Sequence, residues 1–393
     1  MQEFEYVIIG GGMAADAAVG GIRRRDKTGE ILVASEESFP PYQRPPLSKK
    51  LWLDMRLEDV WLGAWQKYAH TQLFLNAEAT RIETAARTVT FADGRQAGYQ
   101  KLLLATGAQA RRLPGGAQRA FYVGTMGEHL RLWQAVQKAR RVLVAGSGFI
   151  GAEMAAALSQ KGHEVVWSML EPAPFAHFLP PGLAQRVTAE YAQHGVILSP
   201  GDAIQELQDT GSGVVARLQS GKTLEADLAV VGIGVEPRDG LARASGLKTS
   251  SGVVVDEFLR TSDPNIWAAG DVALTHGRAM MHEDHAVTQG RAAGQNMAGA
   301  GKPYQHLSFY YSDLYHFGYE AMGECSTAHE VVEDWVIPNE EGVVYYLDQG
   351  HVVGVLDWNV WDGMSKAEGL ITSGRRFAPD ELVGQIRNQE GDS

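Results

Sequence analysis

The sequence has 393 residues, of which 45% are hydrophobic and 21% are charged, and its formal net charge is −12. At roughly 150 residues per domain, this length predicts two or three globular domains. The negative charge argues against a general nucleic-acid binder or a protein that docks on anionic membranes. No apolar run approaches the roughly 18 residues needed to span a bilayer, so we expect no transmembrane segment.

The only cysteine of the chain is Cys325. One thiol allows no disulfide within the chain and no CxxC redox centre, which disfavours a peroxide or disulfide reductase. A single cysteine also fits a reducing compartment. A β-rich run begins at Tyr6 and leaves no room for a signal or transit peptide in the given sequence. We therefore expect a cytoplasmic location.

The first predicted strand covers residues 6–9 and leads into a glycine-rich turn and an alanine-rich helix. Gly10, Gly12 and Ala15 occupy the marked positions of the pattern G-x-G-x-x-A. Such glycines allow a tight turn and let the backbone approach a pyrophosphate, which then faces the helix N-terminus. An acid about 20 residues later commonly binds a ribose hydroxyl, and Glu36 meets this expectation.

The same arrangement returns at residues 142–158. Gly146, Gly148 and Gly151 give a full G-x-G-x-x-G after a predicted strand, and Glu171 supplies the later acid. No lysine or arginine occurs between residues 162 and 185, where a site for a 2′-phosphate would usually place an arginine. The second motif therefore predicts a site for NADH rather than NADPH.

A single glycine motif can be a turn without any ligand, but the repeat here extends well beyond the glycines. Both copies are followed by alternating strands, a glycine turn at residues 93–94 or 220–221, and an apolar closing strand. This order predicts an α/β protein with two Rossmann-like dinucleotide-binding domains. NADH is a common hydride donor and a flavin its usual protein-bound acceptor, so we expect one domain to bind FAD and the other NADH.

Six further segments carry a family resemblance: YQRPPLSKKLW at 42–52, LLLATGA at 102–108, TSDPNIWAAGDVA at 261–273, HEDHAVTQGRAAGQNMAG at 282–299, SFYYSDLYHFGYEAMG at 308–323 and VVGVLDWNV at 352–360. Together with the two glycine motifs they resemble the FAD-dependent pyridine nucleotide oxidoreductases, a superfamily that includes ferredoxin and rubredoxin reductases. They are most similar to the apoptosis-inducing-factor-like members of bacteria. The resemblance covers nearly the whole chain.

The resemblance implies a glutathione-reductase-like architecture. In it, residues 1–115 and 248–305 form a discontinuous FAD domain, residues 116–247 form an NAD domain, and residues 306–393 form a C-terminal α/β domain of the interface or dimerisation type. Within the last segment, GVVYYLDQGHVVGVLDW predicts two strands around Asp348, Gln349 and Gly350.

The resemblance also implies roles for individual residues. Lys49, Glu153 and His282 are the expected catalytic residues, with Lys49 paired to Glu153 near the flavin ring. Expected to bind FAD or surround the flavin are Gly10, Gly12, Ala15, Glu36, Arg44, Lys49, Ala105, Thr106, Gly107, Asp271 (on the ribityl chain), His282 and Tyr311. Expected to bind NAD are Gly146, Gly148, Phe149 (by the nicotinamide), Ile150, Gly151, Glu153, Glu171 and Gly234.

Plainer interpretations stand beside these roles. Lys49 and Glu153 are compatible with two surface charges, which contribute little to stability, and Phe149 is compatible with a core position. His282 to His285 places two histidines and two acids together, yet this spacing matches no established metal-ligand pattern. We therefore expect no metal site. Cys325 fits a buried, small hydrophobic residue.

The sequence thus predicts a FAD-containing NADH:acceptor oxidoreductase. The hydride passes to the flavin, and electrons then leave directly to an iron–sulfur protein, rubredoxin, quinone, cytochrome or dioxygen. The alternative is an NADH-sensing interaction protein with slow turnover, in which a reduced flavin–NAD charge-transfer complex persists and alters a partner or dimer surface. A redox-dependent homodimer is compatible with both, and the sequence names neither the acceptor nor the oligomeric state.

Overall fold

The computed structural model describes residues 1–275, 277, 280–307 and 309–386. Its contacts divide the chain into two compact units. Unit 1 comprises residues 1–46, 55–109 and 235–306, and unit 2 comprises residues 47–54, 110–234 and the chain from 307 onwards. Each unit is described by itself below.

The described strands are β1 (Gln2–Ile9), β2 (Ile31–Ala34), β3 (Thr71–Phe74), β4 (Ala79–Glu83), β5 (Thr88–Phe91), β6 (Gln96–Leu104), β7 (Ala108–Ala110), β8 (Ala120–Phe121), β9 (Arg141–Ala145), β10 (Glu164–Ser168), β11 (Ile197–Ser199), β12 (Ile204–Asp209), β13 (Val214–Leu218), β14 (Thr223–Ala226), β15 (Leu228–Val231), β16 (Val235–Pro237), β17 (Val253–Val254), β18 (Ile266–Ala268), β19 (Ala273–Leu274), β20 (Phe309–Leu314), β21 (Phe317–Gly323), β22 (Glu330–Ile337), β23 (Glu341–Asp348) and β24 (His351–Trp358).

The described α-helices are α1 (Met13–Arg23), α2 (Ala64–Lys67), α3 (Met126–Val136), α4 (Phe149–Gln160), α5 (Pro181–Gln193), α6 (Gly240–Ala244), α7 (Glu283–Met297), α8 (Met364–Thr372) and α9 (Pro379–Leu382). Three short 3₁₀ helices cover Pro45–Leu47, Lys50–Trp52 and Leu57–Val60. Among these described helices, none is both long and apolar enough to cross a membrane.

Unit 1 contains a sheet whose strands run in the order β3-β2-β1-β6-β5-β4. The strands β3, β2, β1 and β6 are parallel, and β18 pairs in parallel with the last residues of β6. Val7 and Ile8 of β1 are fully buried, as expected for a parallel strand covered on both faces. The carboxyl ends of β1, β2, β6 and β18 consequently meet at one edge of the sheet.

Two helices of unit 1 pack unusually closely because the contact is made of small residues. A Cβ atom at Gly290 would lie 2.2 Å from the carbonyl oxygen of Ala14, and one at Gly294 would lie 2.2 Å from that of Ala18. Helix α1 therefore packs directly on the backbone of α7, and this contact fixes the glycine turn before α1.

Unit 2 contains a second parallel sheet, ordered β11-β10-β9-β15-β8. The strands β12, β13 and β14 form a separate antiparallel sheet before β15 returns beside β9. Unit 1 has the matching order, since the antiparallel strands β4 and β5 precede β6, which pairs with β1. The predicted repeat of a βαβ unit, a meander and a closing strand is confirmed.

A third sheet, also in unit 2, is antiparallel and ordered β20-β21-β24-β23-β22. Its β23–β24 hairpin turns at Gln349 and Gly350, which have φ angles of 49° and 83°. Two central residues with positive φ are typical of the type I′ turn that favours hairpins. The two strands predicted around Asp348, Gln349 and Gly350 are therefore present, and α8 packs on this sheet.

The units cut the chain at different places from the predicted domains. Residues 235–247, expected in the NAD domain, belong to unit 1 because Ala242 and Leu247 are buried with Phe4 in its core. Residues 47–54, expected in the FAD domain, belong to unit 2, where the rings of Trp52 and His129 meet edge to face with 5.2 Å between their centroids. The division into three domains stays a prediction.

Candidate functional site

The first glycine turn joins β1 to α1 in unit 1. Gly10 has a φ of +124°, and a Cβ atom there would lie 2.1 Å from the carbonyl oxygen of Ala105. Gly12 is the N-cap residue of α1, and no side chain makes a capping hydrogen bond there. The nearest atom to a Cβ placed at Gly12 would be Nε of Arg44, at 3.6 Å. Gly10 is thus required for packing, whereas a Cβ at Gly12 would make only ordinary contact with the Arg44 side chain in front of the helix N-terminus. Ala15 is fully buried in the core below this turn.

Two consecutive acids follow β2, and each binds an arginine. Glu36, the predicted ribose ligand, makes a bidentate ion pair with Arg238. Glu37 accepts hydrogen bonds from Arg44 and from the hydroxyl of Tyr42, both at 2.7 Å. The spacing rule pointed to Glu36 alone, and nothing in the sequence indicates that Arg238 lies beside it.

Asp271 follows β18 and lies in a turn fixed by the helices of unit 1. The preceding Gly270 has a φ of +77° and donates its N–H to Gln289 at 2.7 Å. A Cβ atom at Gly270 would lie 3.0 Å from the Cβ atom of Ala14. Burial raises the pKa of Asp271 to about 6, and the positive charge of Arg44 opposes this shift. Asp271 is therefore a carboxyl group that changes protonation near neutral pH.

The loop after β6 closes the same region. The hydroxyl of Thr106 donates to the carbonyl oxygen of Arg238 at 2.8 Å, and the N–H of Arg238 donates to the carbonyl oxygen of Gly107 at 2.9 Å. Gly107 has a φ of +68°, and a Cβ atom there would meet no neighbour within 4 Å. Unit 1 thus brings together the predicted FAD residues Gly10, Gly12, Ala15, Glu36, Arg44, Ala105, Thr106, Gly107 and Asp271.

The start of α7 carries a charged and aromatic cluster. His282 caps the helix, and His285 is buried with its Nδ1 atom 3.4 Å from the hydroxyl of Tyr304. Burial, followed by the positive charges of His306 and His282, lowers the pKa of His285 to about 4. Asp284 pairs with His306. Among the residues that the structure describes, no group of three or more His, Cys, Asp or Glu side chains is arranged to hold a metal ion.

The second glycine turn joins β9 to α4 in unit 2 and repeats the geometry of the first. Gly146 has a φ of +109°, and a Cβ atom there would lie 2.2 Å from the carbonyl oxygen of Gly232. A Cβ at Gly151 would lie 2.0 Å from the carbonyl oxygen of Gly146, so the helix packs tightly on the turn. Gly148 caps α4 and faces open space. Gly146 and Gly151 are therefore closely packed, whereas Gly148 between them is open.

The acid after β10 is held by the turn itself. Glu171 accepts a hydrogen bond of 2.5 Å from the hydroxyl of Ser147, and Nε2 of His177 lies 3.6 Å from its other oxygen. Ser147 was not singled out by the sequence because serine is common at the variable position of this motif. Gly234, another predicted NAD residue, has a φ of +102°, and its carbonyl oxygen accepts the N–H of Arg111 at 3.0 Å.

Phe149 begins α4 and joins a cluster of aromatic rings. Its ring centroid lies 5.6 Å from that of Phe175, 6.0 Å from those of Phe178 and Tyr310, and 6.3 Å from that of Tyr319. Phe149 remains partly exposed despite these contacts, as does the adjacent Ile150. Phe149 therefore packs against other aromatic rings, as a core residue would, and is also partly accessible, as a residue beside a ligand would be.

Lys49 and Glu153 meet in unit 2, although 104 residues separate them in the sequence. Nζ of Lys49 lies 3.1 Å from Oε1 of Glu153, with side-chain exposures of 13% and 6%. Glu153 also accepts hydrogen bonds from Ser48 at 2.5 Å and Ser312 at 2.8 Å. The pair is therefore a largely buried ion pair rather than two surface charges. Lys49 additionally lies 4.9 Å from the ring centroid of Tyr311 and donates to its carbonyl oxygen.

Cys325 is half-buried beside the C-terminal sheet. Its thiol lies 3.3 Å from the carbonyl oxygen of Val355, and burial raises its pKa to about 12. A thiol with so high a pKa carries almost no reactive thiolate at neutral pH. The raised pKa therefore disfavours the thiolate form of the chain's one cysteine.

The model of the pyridine nucleotide-disulphide oxidoreductase family matches residues 4–290, which is most of the chain. The chain belongs to this family. A second model, of the C-terminal region of mitochondrion-associated apoptosis-inducing factor, matches residues 293–341. One departure from the family's name is evident, since a chain with one cysteine forms no internal disulphide.

Three solved structures illustrate the likeness. The ferredoxin reductase of the CYP199A2 system from Rhodopseudomonas palustris is 27% identical with a TM-score of 0.90, over 96% of this chain and 97% of that chain. A chain of the covalent putidaredoxin reductase–putidaredoxin complex is 26% identical with a TM-score of 0.89, over 97% and 96%. Fdr9 is 29% identical with a TM-score of 0.86, over 99% and 100%.

These findings confirm the predicted superfamily, the two Rossmann-like domains and the cofactors FAD and NAD(H). The protein is an oxidoreductase that uses a pyridine nucleotide and a flavin. The residues present fit such groups, because each glycine turn places a glycine at a helix N-terminus that no side chain caps. Backbone N–H groups in that position are suited to bind a pyrophosphate.

Proposed function

We propose that the protein is an NADH:acceptor oxidoreductase whose electrons leave its flavin directly for a small iron–sulfur protein. The observation that carries this proposal is the state of Cys325, which is the only cysteine, is half-buried and has a raised pKa. With no second thiol, the chain has no internal disulfide that could receive electrons. An external acceptor must therefore take them from the flavin.

In this proposal the first glycine turn and its neighbours bind FAD. The backbone N–H groups at Gly12 donate hydrogen bonds to the pyrophosphate. Glu36 accepts hydrogen bonds from the ribose hydroxyls, and Arg44 lies along the cofactor. Asp271 forms hydrogen bonds with the ribityl hydroxyls. A carboxyl group with a pKa of about 6 can donate such a hydrogen bond when protonated and accept one when ionised. Bound FAD supplies the chemistry of accepting a hydride and releasing electrons.

The second glycine turn binds the nicotinamide dinucleotide, with Glu171 on the ribose and Phe149 by the nicotinamide. NADH is favoured over NADPH because a carboxylate at Glu171 repels a 2′-phosphate, and residues 162–185 contain no lysine or arginine to bind one. Ser147 holds Glu171 in place.

Lys49 and Glu153 are proposed to act electrostatically. A largely buried ammonium group stabilises negative charge on a reduced flavin, and the carboxylate offsets the cost of burying it. The roles of His282 and Tyr311 at the flavin rest on the family resemblance and stay predictions. The protein thereby supplies orientation and charge rather than acid–base chemistry.

The proposed acceptor class is supported by two relatives that act with small redox proteins. One is described as the ferredoxin reductase of a CYP199A2 system, and the other was solved as a covalent complex with putidaredoxin. Both match almost the full length of this chain.

A second candidate is a slow NADH sensor that alters a partner or dimer surface while its flavin is reduced. The match of residues 293–341 to the C-terminal region of apoptosis-inducing factor favours it. The two candidates differ in how long the reduced state survives in air.

Anaerobic mixing with NADH separates the candidates when flavin absorbance is followed and acceptors are then added. A reductase bleaches rapidly and is reoxidised rapidly by an iron–sulfur protein, with quinone, cytochrome and dioxygen as comparison acceptors. A sensor is reduced slowly and keeps a long-wavelength absorbance band in air. Absence of bleaching with both NADH and NADPH would contradict the assignment of the second glycine turn.

A further inference from the structure

The two acids after β2 each bind an arginine of unit 1. Glu37 binds Arg44, which lies seven residues later in the sequence, while Glu36 binds Arg238 across 202 residues. Both nitrogens of the Arg238 fork face Glu36, with Nη2 at 2.5 Å from Oε2. At the proposed cofactor site, the Glu36 carboxylate is thus already hydrogen-bonded to Arg238.

The backbone of Arg238 is fixed to the loop that lines the same site. Its N–H donates to Gly107, and its carbonyl oxygen accepts from Thr106. That loop also contains Ala105, whose carbonyl oxygen excludes any side chain at Gly10. The guanidinium of Arg238 is therefore carried by a segment whose position is tied to the glycine turn.

The geometry of the pair matters more than its contribution to stability. The two side chains are 35% and 36% exposed, and ion pairs exposed to this degree contribute little to stability. A bidentate guanidinium, however, fixes the orientation of a carboxylate far better than a single hydrogen bond does. A carboxylate has about four lone-pair positions, so Glu36 keeps two for another donor.

We propose that Arg238 is a positioning residue that orients Glu36 toward the ribose hydroxyls of the adenosine half of FAD. Arg238 thereby determines how strongly the protein prefers FAD to a cofactor without those hydroxyls. This inference rests on the proposed role of Glu36. The plainer interpretation is a surface ion pair that has no influence on the cofactor.

The test is a competition between FAD and 2′-deoxy-FAD, which lacks the adenosine 2′-hydroxyl. Holoprotein is equilibrated with an excess of both, and the ratio of bound cofactors is measured after separation from free flavin. The variants are Glu36→Gln, Arg238→Gln and Arg238→Lys, with Arg243→Gln as the matched control. Arg243 is a nearby arginine whose partner is Asp239, which has no proposed role at the cofactor.

We expect the wild type and Arg243→Gln to prefer FAD by about tenfold, the usual size of one charge-assisted hydrogen bond. Arg238→Gln and Glu36→Gln should lose most of this preference, and Arg238→Lys should retain part of it. A purely structural defect weakens the binding of FAD and of 2′-deoxy-FAD equally, and it leaves the ratio of the two bound cofactors unchanged. Arg238→Lys, which keeps the charge, provides the decisive ratio if Arg238→Gln does not fold.

The outcomes distinguish the inference from the function on which it rests. If Glu36→Gln loses the preference but the Arg238 variants keep it, or prefer FAD more strongly, the role of Arg238 is overturned and that of Glu36 stands. If Glu36→Gln retains the wild-type ratio, the ribose role of Glu36 fails and the inference fails with it.

Discussion

The two glycine turns have nearly the same backbone but different surroundings. In each, the first glycine has a φ above +100°, and a Cβ atom placed there would lie 2.1 or 2.2 Å from a carbonyl oxygen. A Cβ at the later glycine would contact only Arg44 in the first turn and no atom within 4 Å in the second. The first turn is flanked by Arg44, by the Arg238–Glu36 pair and by Asp271. The second has Glu171 held by Ser147.

This difference separates what the backbone supplies from what the side chains supply. Both turns offer the same N–H groups to a pyrophosphate, which FAD and NADH share. The side chains around the first turn come from four separate segments, which suits the proposed site for a flavin that stays bound. Those around the second are few and local, which suits a dinucleotide that must enter and leave in each cycle.

The largest effect should come from closing each turn in the same way. An alanine at Gly10 or Gly146 places a Cβ about 2 Å from a carbonyl oxygen and requires a strained φ, which costs several kcal/mol, or about 100-fold or more in affinity. We expect Gly10→Ala to yield protein without flavin. We expect Gly146→Ala to retain its flavin and lose NADH binding. Flavin content and NADH titration measure the two results.

Gly148→Ala is the matched control, because a Cβ there meets no atom within 4 Å. It should keep the fold and the flavin. If Gly146→Ala lost its flavin while Gly10→Ala kept it, the assignment of the two turns would be reversed.

A second comparison concerns the helices after the turns. Five residues after Gly12, α1 has Ala17. Five residues after Gly148, α4 has Glu153, whose partner is Lys49. Lys49→Ala leaves a buried carboxylate with hydroxyl donors only, so we expect a loss of about 3 kcal/mol in unfolding free energy. We also expect a shift in flavin potential or in the rate of reduction by NADH.

Lys50→Ala is the control for this change, since Lys50 is the exposed neighbour. Urea unfolding measures the stability, and a redox titration measures the potential. An unchanged flavin potential together with an unchanged reduction rate would leave Lys49 with a structural role only. The double variant Lys49→Met with Glu153→Gln should recover part of the lost stability, because it removes the unpaired charge.

The repeat shows how much of the fold the sequence specifies. Strand–turn–helix order, the turns at Gly94 and Gly221 and the Gln349–Gly350 hairpin depend on local chemistry, namely apolar runs and residues that tolerate positive φ. These features could be predicted from short windows. The boundaries at residues 47–54 and 235–247 could not, because they depend on which core Trp52 and Leu247 enter.

The candidate site divides in the same way. Gly10, Gly12 and Glu36 follow a spacing rule, and Lys49 and Glu153 were paired through resemblance rather than spacing. Arg238, Ser312 and Ser147 were missed because each meets its acid through tertiary packing or through a common residue type. Such partners carry no sequence pattern of their own.

A third prediction uses the titration of Asp271, which lies beside the first turn only. Its native pKa of about 6 exceeds the ordinary value of 3.8. Between these values the folded chain holds a proton that the unfolded chain has released, so stability falls as pH rises from about 4 to 6 and then levels off. Asp271→Asn should remove this slope and raise the unfolding free energy at pH 7 by about 3 kcal/mol in the cofactor-free protein.

Urea unfolding of cofactor-free protein between pH 4 and 8 tests the slope. Asp59→Asn, at an exposed carboxyl group, provides the control and should keep it. A wild-type slope that persists in Asp271→Asn would assign the titration to another group.

The smallest effect is expected at the second turn, where Glu171 is proposed to recognise the ribose. Glu171→Gln removes a charged acceptor and should weaken NADH binding by about tenfold. It should bring the affinities for NADH and NADPH closer together, because the amide no longer repels a 2′-phosphate, and it should leave flavin content unchanged. Glu164→Gln, at the start of β10 and paired with Arg141, is the control. If Glu171→Gln lowered flavin content and left NADH binding intact, the local acid would serve the bound cofactor, and the contrast between an enclosed first turn and an exchanging second turn would fail.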